Sequence, residues 1–178
     1  TQGLHMNTLT RGIILGTLFT VVLVVSATAL AAVVPFDVAL EATVEQINGT
    51  GTLDTGKRSP AQIDRAAAPL DLHAEDRLLL DANSTAHISF ATLAGQAAIT
   101  GPADFAIVEA SRRATALNHI RKEPADLEYA LIIRQMAGSV RYNFSSDLVL
   151  FHRLQIIVNL PGTAYRPATP CWSISVDD

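Results

Sequence analysis

The chain has 178 residues, 17 of them acidic and 13 basic, for a formal net charge of −4. An acidic chain lacks the basic face that nucleic acid requires, so a nucleic-acid partner is not expected. Its one cysteine, Cys171, rules out an internal disulfide and is expected to sit buried beside Trp172 as a small hydrophobe.

From the N-terminus, the first element is an apolar run from Ile13 to Val34 without a charge. As a helix it would reach roughly 33 Å, close to the roughly 30 Å hydrocarbon core of a bilayer. A cleaved signal peptide is the rival, since Thr28-Ala29-Leu30-Ala31 resembles a cleavage region. The apolar character continues past Ala31, which favours a retained anchor ended by Pro35. Gly12 and Gly16, four apart, have the small-residue spacing that lets membrane helices pack closely. Arg11 precedes the run, while Asp37, Glu41 and Glu45 follow it, with no base before Lys57. The positive-inside rule then puts the N-terminus in the cytoplasm. The expectation is an inner-membrane, single-pass protein. Residues 1–11 form a tail, 12–35 a transmembrane helix, 36–42 a linker and 43–178 a β domain on the outer side.

Beyond Pro35, short runs of period two predict half-buried strands. Leu70 and Leu72 alternate with Asp71 and His73. Ala86, Ile88 and Phe90 alternate with Thr85, His87 and Ser89. Val140, Tyr142 and Phe144 alternate with Arg141 and Asn143. Trp172, Ile174 and Val176 alternate with Ser173 and Ser175. Turn signals separate them at Asn48-Gly49, Thr50-Gly51, Asn83-Ser84, Ala94-Gly95, Gly101-Pro102, Ala137-Gly138 and Pro161-Gly162. Residues 49–69 read as an exposed loop with one turn of helix near Gln62 to Ala67. Residues 112–130 read as a hairpin with its tip at Arg121-Lys122-Glu123-Pro124, or else as a helical insertion. The fold class is therefore mainly β: an antiparallel all-β sandwich, barrel or solenoid behind one membrane helix.

No catalytic or metal constellation emerges. None of the five histidines pairs at metal-ligand spacing. His73 and His87 could meet across a hairpin, but a hydrogen-bonded surface pair is the simpler reading. Glu75-Asp76 reads as turn chemistry, because adjacent strand residues point to opposite faces and glycoside chemistry needs carboxylates across a cleft. No enzyme activity, cofactor or metal is expected. Arg112, Arg113, Arg121 and Lys122 make a basic cluster, read either as a charged hairpin edge that discourages strand addition or as a protein contact.

The pattern over residues 43–178 resembles the FecR domain family. The resemblance begins at ATVEQINGTGTL and is clearest in PLDLHAEDRLLLDANSTAHISFATLAGQAAITGPADFAIVEA. It resumes at MAGSVRYNF and ends in VNLPGTAYRPATPCWSISVDD, where Pro170-Cys171 replaces the family's usual Gly-Thr. It implies a membrane-proximal, extracytoplasmic β domain. Well-known members relay signals through a cytoplasmic anti-sigma domain. The tail before the helix has about eleven residues here, so that role is not expected to carry over. The expected function is a non-enzymatic accessory subunit that binds other membrane proteins in the bilayer, such as those of a respiratory or photosynthetic complex. The alternative is a FecR-type envelope sensor. A carbohydrate-binding module is a third reading, short of exposed aromatics.

Overall fold

Side-chain alternation builds a sheet only where strands find partners, and pairing governs the rest of the chain. The computed structural model describes residues 17–26, 34–115, 128–145 and 153–177. Two units divide the chain. One comprises residues 1–36 and 114–124, the other residues 37–113 and 125–178.

The first unit holds the described helix, residues 17–26, all exposed. The expected single-pass anchor is corrected here: no helix among the described residues is long and apolar enough to cross a membrane. The ten described helical residues rise about 15 Å, half the hydrocarbon thickness. Val21, Val22, Val24 and Val25 are β-branched and weak helix formers. The Ser26 hydroxyl donates back to the Val22 carbonyl at 2.7 Å, a local bond that competes with the helix ladder. The inner-membrane, N-inside placement falls with the span. Gly12 and Gly16 lie outside the described residues.

Twelve strands among the described residues form one sheet: β1 Pro35–Ala39, β2 Ala42–Asn48, β3 Thr50–Asp54, β4 Ala61–Asp64, β5 Leu70–Leu72, β6 Arg77–Leu80, β7 Thr85–Phe90, β8 Gly95–Thr115, β9 Glu128–Phe144, β10 Leu154–Leu160, β11 Thr163–Tyr165 and β12 Cys171–Val176. The mainly-β expectation matches this. Two details differ. The stretch 49–69 is not a loop: it forms the β3–β4 hairpin and a 3-10 turn at Arg65–Ala67. The sheet is not wholly antiparallel either, because β10 runs parallel to β9.

The sheet is organised around β8 and β9, which pair along most of their length. Residues 95–100 of β8 pair with β7, which leads to β2 and then β5. Residues 103–106 pair with β6, which leads to β3 and β4. On β9, residues 138–143 pair with β12, and residues 129–134 with β10. The two branches part where Gly101-Pro102 faces Ala137-Gly138. These dipeptides were expected to end strands. They lie within strands instead, where the register slips between Thr100 and Phe105. A bulge uses the same small, permissive residues as a turn. Gly138 has φ +88°, and a Cβ there would lie 2.5 Å from the Pro102 carbonyl oxygen.

The slip reverses the facing of β9. Gln135 and Tyr142 are seven residues apart, so a regular strand would point them to opposite faces, roughly 23 Å apart. Both are fully buried, and the Tyr142 hydroxyl donates to Gln135 Oε1 at 3.2 Å. The Gln135 amide donates to the Gly138 carbonyl at 2.9 Å and the Ile174 carbonyl at 3.1 Å. Every polar atom of this buried amide is thereby engaged across the bend, as burial of polar groups demands. Beside it, Phe90, Phe144, Trp172 and Tyr142 stack, with ring centroids 4.9 to 5.8 Å apart.

Candidate functional site

A cleft of about 500 Å³ lies where β1, β8, β9 and the start of β10 converge. Strand alternation explains its lining. Glu109, Ser111 and Arg113 are two apart on β8, so they share one face. Arg113 registers with Glu128, and Ser111 with Ala130. Tyr129 and Ala130 register with Leu154 and Gln155, so Arg153 continues the row begun by Arg113 and Glu128. The row reads plus, minus, plus across β8, β9 and the residue just before β10. Asp37 from β1 and Glu109 add negative charge. Tyr129 and Leu154 are buried beneath, while Arg113, Glu128 and Gln155 are exposed.

This geometry offers recognition more readily than catalysis. Ser111 is the only hydroxyl nucleophile of its kind in the lining apart from the Tyr129 phenol, and its Oγ donates to Glu109 at 2.7 Å with no histidine in the cleft. An acyl-transfer site needs a base in reach of the nucleophile and donors for the oxyanion. Among the described residues, no three His, Cys, Asp or Glu side chains converge as metal ligands.

Of the four basic residues read as a contact, Arg113 lines the cleft. Arg112 is half-buried and opposes Tyr129 across β8 and β9; as Arg113's neighbour in the strand it faces the other side. Arg121 and Lys122, with the expected hairpin tip, lie outside the described residues. The described strands β8 and β9 pair antiparallel as far as Arg113 and Glu128. Reading the sequence did not bring Arg153 and Glu109 to this cleft. The cleft depends on a parallel pairing between distant strands, which leaves no local signal.

His73 and His87 do not meet. His73 sits in the turn after β5, where its backbone N–H donates to Asp76 Oδ2 at 2.8 Å. His87 is exposed on β7 between Gln46 and Ala98. Glu75 has φ +76°, and Asp76 N–H donates to the His73 carbonyl, so the acidic pair builds a turn. Cys171 is exposed rather than buried. Trp172 takes the inward phase of β12, so its neighbour must face out, where the thiol lies 3.0 Å from Asn143 Oδ1. Arg77 makes a two-pronged pair with Asp104, at 2.8 and 2.6 Å. That hydrogen bonding, above all, raises the guanidinium's pKa.

None of the protein families, curated proteins or solved structures compared with the chain matches it.

Proposed function

We propose that the chain is a non-enzymatic protein-binding domain of FecR-like pattern, an accessory subunit of a larger assembly that docks a partner in the β1–β8–β9–β10 cleft. One observation carries this reading: the Arg113, Glu128, Arg153 row, held on adjacent strands above buried Tyr129 and Leu154. Fixed charges of alternating sign select a partner whose charges alternate in the opposite sense, and they penalise the wrong register. Arginine is also the charged residue most at home in protein interfaces. The open, polar lining differs from the enclosed apolar pockets that hold small ligands.

The test begins with gentle isolation of the full chain from its native cells and identification of any stoichiometric partner. Affinity is then measured between purified components. Arg113→Glu combined with Arg153→Glu should weaken binding by about tenfold or more. The thermal midpoint should stay within a few degrees, because surface substitutions of this kind change stability little. Unchanged affinity in the double variant, or no partner in stoichiometric amount, would overturn the reading.

A further inference from the structure

A sheet edge carries unpaired N–H and C=O groups, and proteins usually blunt it. Four of the edges described here are blunted. β5 and β11 have three residues each. β4 has four and carries Asp64. β1 begins at Pro35 and carries Asp37. β12 differs. It has six residues, CWSISV, with no charge, proline or glycine, and among the described residues pairs only with β9. Ile174 and Val176 point inward yet stay half-exposed, because no described strand lies beyond them.

We infer that β12 is a self-association edge, and that two copies of this chain pair antiparallel along it, centred on Ser175. This goes beyond the docking cleft and does not depend on it. The register follows from faces and charges. Opposed residues in an antiparallel pair share a face, so centring on Ser175 sets Ile174 against Val176 of the second copy, extending the inner apolar face. On the outer face it sets Ser173 against the second copy's Asp177. Arg141 already registers with Ser173 from the other side. The row then reads Arg141, Ser173 and the second copy's Asp177. Two strand spacings separate Arg141 from that aspartate, about 9–10 Å, which an arginine spans over a small serine. The twofold axis repeats the pair. Both Arg141 and Asp177 are exposed, and among the described residues neither forms an ion pair. A second copy therefore supplies what one edge lacks: strand, apolar cover and counter-charge. Five opposed residue pairs make a small interface, so the dimer is reversible, with a Kd on the order of 10–100 µM.

Sedimentation equilibrium of the full chain across that range tests the idea. Arg141→Asp alone, and Asp177→Arg alone, should each weaken dimerisation about tenfold by placing like charges together. The double exchange should restore it, and raised salt should weaken the original pair. In a Cys171→Ser background, Ser175→Cys should form an interchain disulfide under mild oxidation, and Ser139→Cys should not, because only the two-fold centre brings like positions to disulfide distance. A chain that stays monomeric to about 1 mM, or a double exchange that fails to restore association, would overturn the proposal. So would equal cross-linking at both positions.

Discussion

Phe90 and His87 lie three residues apart on β7 and put the strand phase to a quantitative test. Phe90 is 1 % exposed and stacks on Phe144 at 5.8 Å. Phe90→Ala should cost about 3–5 kcal/mol in denaturant unfolding, the range for emptying a buried aromatic site. His87→Ala, on the outer face, should change stability by under about 0.5 kcal/mol. Tyr142 gives the matching pH test. Burial pushes its phenol well above its ordinary value, so the native state keeps the proton while the unfolded chain releases it above about pH 10. The unfolded state then binds fewer protons, and stability falls as pH rises. This one group should add a loss of about 1.4 kcal/mol per pH unit above pH 10, measurable by urea titration from pH 9 to 11. Tyr142→Phe should remove that extra slope. The core phases around Phe90 and Tyr142 were legible because alternation alone sets them. Cys171 was misjudged because burial was assigned by residue type. The inward Trp172 beside it forces the thiol outward.

At the scale of the strand, the decisive residues are those where β8 and β9 slip. Gly138→Ala would place a methyl against Pro102 and Ala103 and hold a non-glycine residue at φ +88°. The expected cost is about 2–4 kcal/mol, from left-handed backbone strain plus overpacking. Gly56, also at positive φ but with nothing near its Cβ, should lose only about 1–2 kcal/mol on the same change. Comparing the two by thermal unfolding separates backbone strain from collision. Gly101-Pro102 and Ala137-Gly138 were visible in the sequence, but as strand ends. A turn and a bulge use the same residues, and only the partner strand decides between them. The cleft has the same weakness. Arg113 was picked out from sequence, while Arg153 joins it only through the parallel register of β10 on β9.

At the scale of the whole molecule, the mainly-β character was legible, and the order of strands was not. Pairings such as β2 with β7, or β9 with β10, join segments whose local patterns do not name their partners. One further consequence follows from β8 and β9 having neighbours on both sides. Solvent reaches their amides only when the sheet opens widely, so their deuterium uptake should be governed by global unfolding. The short outer strands β4 and β11 can fray alone and should exchange orders of magnitude sooner. Mass-resolved exchange at neutral pH should therefore show peptides 95–106 and 131–142 labelling last. Equal uptake across all strands would mean that the paired strands β8 and β9 are not the slowest part of the sheet to open.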